Sequence, residues 1–112
     1  MTYDEVRGIG RSLPGVEEST SYGTPALKVK GKGFTRLWED GETLVLRTDH
    51  YERTHLLEES PEAFFLTDHY RDHPYVLVRL AHVEAERMRP LLRDAWRRVA
   101  PARVVAAYDG GV

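Results

Sequence analysis

Apolar and polar residues alternate through residues 19–47, and glycines interrupt the alternation at each point where the chain can reverse. A two-residue period is typical of strands that bury one face, so this segment predicts three antiparallel strands. Asp40-Gly41 lies between two apolar runs and predicts a two-residue type I′ turn, because both residues tolerate positive φ. Gly31-Lys32-Gly33 predicts a three-residue loop at the other reversal.

These turns determine which side chains share a face of the predicted sheet. The turn at Asp40-Gly41 predicts five cross-strand pairs, which are Trp38 with Thr43, Leu37 with Leu44, Arg36 with Val45, Thr35 with Leu46 and Phe34 with Arg47. One face of the predicted sheet is therefore apolar and forms the core side. It contains Leu27, Val29, Leu37, Leu44 and Leu46. The opposite face collects cations and rings, namely Lys28, Lys30, Phe34, Arg36, Trp38, Val45 and Arg47.

The remaining elements are predicted from capping residues and from the apolar period. Thr2 and Glu5 form a capping box that begins a first helix, and Asp49 caps a second helix that ends at Ser60-Pro61. An edge strand over residues 17–22 precedes the hairpins. Further strands are expected at residues 64–67 and 75–80, and further helices at residues 84–99 and 102–108. In strand 75–80, Tyr75 and Arg79 extend the face of cations and rings.

Length and composition exclude several classes of protein. A chain of 112 residues fits one domain over residues 1–112, and a formal net charge of −2 argues against a generally basic nucleic-acid binder. The sequence contains no cysteine, which excludes disulfides and thiolate chemistry and fits a reducing cytoplasm. No apolar run approaches the roughly 20 residues of a membrane span. We therefore expect a cytoplasmic protein without a membrane partner.

Four blocks follow one another in the chain, PGVEESTSYGTPALKVKGKGFTRL, FFLTDHY, YVLVRL and DAWRRVAP. Together they resemble the MmcQ/YjbR-like family of small bacterial proteins, from Tyr3 to about Tyr108. The resemblance implies an α+β fold with frataxin-like (CyaY-like, "double wing") topology. That topology has an antiparallel sheet of about five to six strands with helices packed on one face. It also implies DNA binding by two hairpins acting as wings, and it supplies no catalytic residues.

The second wing departs from this expectation, because Glu39, Asp40 and Glu42 would repel phosphate at its tip. Nucleic-acid binding still has a physical route, in which cations contact phosphates and rings stack on bases. We therefore predict a non-enzymatic binding protein whose partner is DNA or another phosphate-bearing ligand. The candidate nucleic-acid-binding residues are Lys28, Lys30, Lys32, Phe34, Arg36, Trp38, Arg47, Tyr75 and Arg79.

Two alternatives remain open at this point. The first is a small-molecule or enzymatic site at the turn that holds His69, Tyr70, Asp72, His73 and Tyr75. The second is a homodimer in which Phe34 and Trp38 form an interface. The four-residue spacing of His69 and His73 would align metal ligands only on a helix, which Pro74 disfavours. The sequence therefore predicts no metal, no cofactor and no catalytic residue.

Overall fold

The computed structural model describes residues 1–110. Its elements, in chain order, are α1 (Tyr3–Arg11), β1 (Val16–Ser21), β2 (Thr24–Val29), β3 (Lys32–Leu37), β4 (Thr43–Arg47), α2 (His50–Glu59), β5 (Phe64–Phe65), β6 (Tyr75–Arg79), α3 (Ala85–Val99) and α4 (Ala102–Gly110). Two short 3₁₀ turns, Asp68–Tyr70 and Leu80–His82, flank β6. The six strands form one antiparallel sheet in the order β1-β2-β3-β4-β6-β5.

This architecture confirms the predicted α+β class, with a six-stranded antiparallel sheet and helices on one face. The frataxin-like topology stays a prediction. Within residues 1–110, none of the helices is both long and apolar enough to cross a bilayer.

Capping residues place the first two helices where the sequence predicted them. The Thr2 Oγ1 atom accepts a hydrogen bond from the Glu5 N–H at 3.3 Å, and Glu5 Oε1 accepts from the Thr2 N–H at 3.0 Å. At α2, Asp49 Oδ1 accepts from the Glu52 N–H at 2.7 Å. Each bond satisfies an N–H that has no partner within its helix, so both starts are defined locally.

The main core lies between one face of the sheet and helices α1 and α3. We call that face of the sheet the helix-side face. Leu27, Leu44 and Val76 from the sheet pack there with Val6 of α1 and Trp96 of α3. The Trp96 indole N–H donates to the Pro14 carbonyl at 2.9 Å, which satisfies the polar atom of this buried ring. The opposite face of the sheet is called the outer face below.

The hairpin between β3 and β4 has the predicted register. Thr35, Arg36 and Leu37 pair with Leu46, Val45 and Leu44. The turn type, however, was predicted wrongly, because Gly41 has a positive φ of 73° and Asp40 does not share it. Instead, the Asp40 carboxylate accepts hydrogen bonds from the Glu42 N–H at 3.0 Å and from the Thr43 N–H at 2.9 Å. The aspartate side chain, rather than a type I′ backbone, stabilises this turn.

The hairpin between β2 and β3 differs from the prediction at its turn. The predicted loop at Gly31-Lys32-Gly33 is wrong, since the turn is Lys30-Gly31, with φ values of 48° and 79°. Lys32 already belongs to β3, where it pairs with Val29. Both turn residues have the left-handed φ that a two-residue hairpin loop requires.

Phe34 was predicted on the outer face, and this prediction is also wrong. The register shifts between the pairs Leu27–Thr35 and Lys28–Gly33, so Phe34 is the extra residue of a β-bulge. Its ring is 0% exposed and belongs to the helix-side core. Burying such a ring stabilises the fold by about 1.5 to 3 kcal/mol, which an exposed position would forfeit.

Candidate functional site

A groove crosses the outer face of the sheet. The chain between β5 and β6 folds back over this face, and Tyr70 packs there against Val45 and Leu77. Residues 67–75 form one wall, and β2, β3 and their turns form the floor and the other wall. The space between them has a volume of about 820 Å³, and we call it the outer groove.

Small residues make room for the groove. Ala26 of β2 and Gly33 of β3 line the floor, together with the stem of Lys28. A Cβ atom added at Gly33 would meet the Lys28 Cγ atom at 3.8 Å, which is ordinary contact. The glycine therefore leaves open a space that a side chain would fill.

Two of the predicted cations line the groove, and their surroundings differ. Lys28 is half-buried, and the ion pairs within residues 1–110 do not involve it. Arg36 has a side chain that is only 11% exposed and pairs with Glu39 at 2.7 Å. Lys28 thus offers a charge to a ligand, with Glu17 as its cross-strand neighbour on β1, whereas the charge of Arg36 is already matched by Glu39.

Arg36 joins the two walls of the groove. Its Nη1 atom donates to Thr24 Oγ1 at 3.2 Å and to Glu39 Oε1 at 2.7 Å, and its Nη2 atom donates to the Tyr70 hydroxyl at 2.8 Å. Burial lowers the pKa of Arg36, but the bonds to Glu39 and Tyr70 outweigh burial and raise it. The hydrogen bond from Arg36 lowers the pKa of Glu39. Arg36 is therefore a permanently charged junction between strand and wall.

Aromatic rings stand at the mouth of the groove. Tyr22, in the turn between β1 and β2, is 85% exposed and has a φ of 52°. The Arg36 guanidinium lies 5.0 Å from the centroid of the Tyr22 ring. Trp38 is half-buried and meets Phe65 edge to face at a centroid distance of 6.3 Å. Tyr75 completes the opposite wall.

Two histidines of the 67–75 wall also face the groove. The rings of His69 and His73 are 5.8 Å apart between centroids. Within residues 1–110, no group of three or more His, Cys, Asp or Glu residues is arranged to hold a metal ion. The turn that the sequence offered as a separate small-molecule site is thus one wall of the same groove.

Arg53 of α2 was missed by the sequence analysis. It is 8% exposed, and its guanidinium donates to the carbonyls of Tyr70 at 3.2 Å, Arg71 at 2.9 Å, His73 at 2.6 Å and Tyr75 at 3.2 Å. These bonds hold the 67–75 wall in place. Its position three residues before the buried Leu56, on the same side of α2, was the available signal.

The other predicted residues lie outside the groove. Lys30 is exposed in its turn, Lys32 shares the helix-side face with its partner Val29, and Phe34 is in the core. Arg47 lies 5.8 Å from the Tyr75 ring centroid, and Arg79 lies 4.1 Å from that of Phe65. Both arginines are on the outer face, beside the groove rather than in it.

Similar proteins align with nearly the whole of this chain. The chain is 28% identical over 122 residues to the uncharacterized protein Rv2570 of Mycobacterium tuberculosis and equally to the uncharacterized protein Mb2600 of Mycobacterium bovis. Each alignment covers 96% of this chain and 95% of the relative.

A solved structure and a family model complete the comparison. The crystal structure of Deinococcus radiodurans protein DR2400, of the domain family DUF419, superposes with a TM-score of 0.72 at 25% identity. The superposition covers 85% of this chain and 75% of that one. The YjbR family model matches residues 11–98, so the chain belongs to the MmcQ/YjbR family.

Proposed function

We propose that this protein is a non-enzymatic binding protein that holds single-stranded nucleic acid in the outer groove. The observation that carries the proposal is Tyr22, an aromatic residue exposed at the mouth of a groove that is also lined by Lys28. The proposed location is the cytoplasm, because a chain without cysteine needs no oxidising compartment.

The backbone conformation of Tyr22 is unfavourable in free energy for a residue with a side chain. The left-handed backbone costs a side-chain-bearing residue about 1 to 2 kcal/mol, and asparagine or glycine would fit the turn better. The ring is 85% exposed, so burial does not offset this cost. The contact with Arg36 returns only part of this cost, and an exposed ring on a strained backbone is a reason to look for function. One face of the ring meets Arg36, and a nucleic-acid base can stack on the other.

The concave shape favours a single strand over a duplex. A volume of about 820 Å³ is within the ~300 to 1,000 Å³ that is usual for ligand sites, and unpaired bases fit such a recess. A duplex would have to approach the hairpin tips, where Glu39, Asp40 and Glu42 repel its phosphates. Stacking on Tyr22 and Trp38 is expected to contribute about 1 to 3 kcal/mol for each base.

The direct test is fluorescence anisotropy with labelled oligothymidine, compared with a duplex of equal length. Lys28 is the lysine that lines the groove. One neutralised phosphate gives an expected slope of log affinity against log salt of about −0.7. Absence of binding at low salt, or tighter binding of the duplex, would overturn the proposal.

Two matched variants locate the binding site. Lys28→Gln removes the charge in the groove and should weaken binding, whereas Lys32→Gln makes the same change on the helix-side face and should not. Gly33→Val should fill the groove floor without backbone strain, because Gly33 is not among the glycines with positive φ. We expect Gly33→Val to abolish binding while the midpoint of thermal unfolding stays near that of the wild type.

A small phosphate-bearing molecule is the second candidate ligand. The observation that favours it is that His69, Tyr70, His73 and Tyr75 all line the outer groove. A mononucleotide that binds as tightly as an oligothymidine strand would select this candidate. Affinity that rises with strand length would select the nucleic-acid proposal instead.

A further inference from the structure

Glu39 adds a negative charge to a groove that is proposed to hold a polyanion, and this needs an explanation. The charges are separated along β3. Lys28 pairs with Gly33 near the start of the strand, whereas Glu39 lies beyond its end at Leu37. At about 3.3 Å per residue, the strand alone separates these ends by about 13 Å. A ligand lying along the groove therefore meets a cation at one end and a carboxylate at the other.

Arg36 orients the Glu39 carboxylate, which can still accept further hydrogen bonds. Arg36 donates to its Oε1 atom at 2.7 Å, and Arg36 is itself positioned by the Tyr70 hydroxyl. A carboxylate has about four acceptor positions, so this bond leaves capacity for a ligand. The Glu39 side chain is 56% exposed and lines the groove beside Trp38. The carboxylate is therefore a preoriented hydrogen-bond acceptor next to an aromatic ring.

The four bases present different groups to such an acceptor. Guanine carries two adjacent donors, N1–H and the N2 amino group, on its Watson–Crick edge, and a carboxylate accepts from both. Adenine and cytosine each offer one amino group beside a ring nitrogen that is itself an acceptor and repels the carboxylate. Thymine offers one N–H between two carbonyl oxygens. Unpaired bases stacked on aromatic side chains are read along this edge.

Resting on the proposed function, we infer that Glu39 gives the outer groove a preference for guanine, stacked on Trp38, over the other three bases. Arg36 acts as a positioning residue that aims the carboxylate. The acidic hairpin tip, which would weaken contact with phosphate, thereby acquires a role in reading the base.

The test uses labelled oligothymidine strands that carry one variable central base, with affinity measured by anisotropy. We expect guanine to bind about five to ten times more tightly than adenine or cytosine. Hypoxanthine, which lacks the N2 amino group, should fall between guanine and adenine. Glu39→Gln should reduce the preference for guanine to less than about twofold. Glu42→Gln removes the same charge from the same hairpin outside the groove, and it should keep the preference.

The possible results distinguish failure of the guanine preference from failure of single-strand binding. Equal affinity for all four bases, or an undiminished guanine preference in Glu39→Gln, overturns the inference and leaves single-strand binding intact. Absence of binding to every strand overturns the proposed function itself. Circular dichroism of each variant shows whether a lost preference reflects a lost fold.

Discussion

The Arg36 guanidinium donates a hydrogen bond to the Tyr70 hydroxyl at 2.8 Å, across 34 positions of sequence. The bond joins β3 to the 3₁₀ turn that covers the outer face, and both side chains are almost buried. A hydrogen bond to a charged group contributes about 1.5 to 3 kcal/mol. Arg36 therefore maintains the shape of the groove, and a charge reversal at Arg36 would disturb the wall as well as the charge.

Tyr22→Asn is expected to stabilise the protein and to weaken ligand binding. Asparagine adopts the left-handed backbone more readily, which relieves about 1 kcal/mol or more of strain. Loss of the contact with Arg36 offsets about 0.5 kcal/mol at this exposed site. Urea denaturation should show a net gain of about 0.5 kcal/mol, and affinity for oligothymidine should fall. Tyr22→Phe keeps the ring and should match the wild type in both measurements.

Arg53→Met should destabilise the protein by about 3 kcal/mol, because four carbonyls lose a charged donor that is itself buried. Hydrogen exchange should accelerate at the amides of residues 70–73 and of Tyr75. Arg71→Gln is the control, since Arg71 is exposed in its ion pair with Asp68 and contributes at most about 0.5 kcal/mol. Equal effects of the two substitutions would show that Arg53 does not hold the wall.

Asp40 should make stability dependent on pH at the acidic end. Burial raises the pKa of Asp40, but hydrogen bonds from Thr43 and from the Glu42 N–H outweigh burial and place it below its ordinary 3.8. A lowered folded-state pKa contributes stability above 3.8 that is lost as pH falls through the folded-state value. Thermal unfolding followed between about pH 5 and about pH 2 should show a smaller acid-dependent loss in Asp40→Asn. An unchanged profile would mean that the turn does not depend on the charge.

The sequence predicted most of the architecture because local signals governed it. The capping residues Thr2 and Asp49 placed two helices, and the position of the turn at Asp40-Gly41 gave the correct register between β3 and β4. The β-bulge at Phe34 was not predicted, because the argument from alternating residues assumes that each residue of one strand pairs with one residue of the next. A two-residue turn at Lys30-Gly31, in place of the predicted three-residue loop, would by itself place Lys28 and Arg36 on opposite faces of the sheet. The bulge at Phe34 returns them to the same face. Lys28 therefore still reached the outer face.

The groove itself was not predictable, because long-range contacts build it. The 67–75 wall depends on Arg53 from α2 and on Arg36 from β3. The spacing of Arg53 from Leu56 indicates the buried side of α2, but no local pattern identifies the distant partners of Arg53 or Arg36. The sequence assigned Arg36, Trp38 and Tyr75 to one site and the histidine-containing turn to another. The structure brings both sets to the two sides of one space.

The two tryptophans allow the most direct test of the groove as the binding site. Trp38 lines the groove, whereas Trp96 is 0% exposed in the core and bonded to the Pro14 carbonyl. Each gives an indole N–H signal in a ¹H–¹⁵N NMR spectrum. On titration with a guanine-containing single strand, we predict that the Trp38 signal shifts in a saturable manner while the Trp96 signal stays in place. A Trp38 signal that does not move while the strand binds would contradict the account.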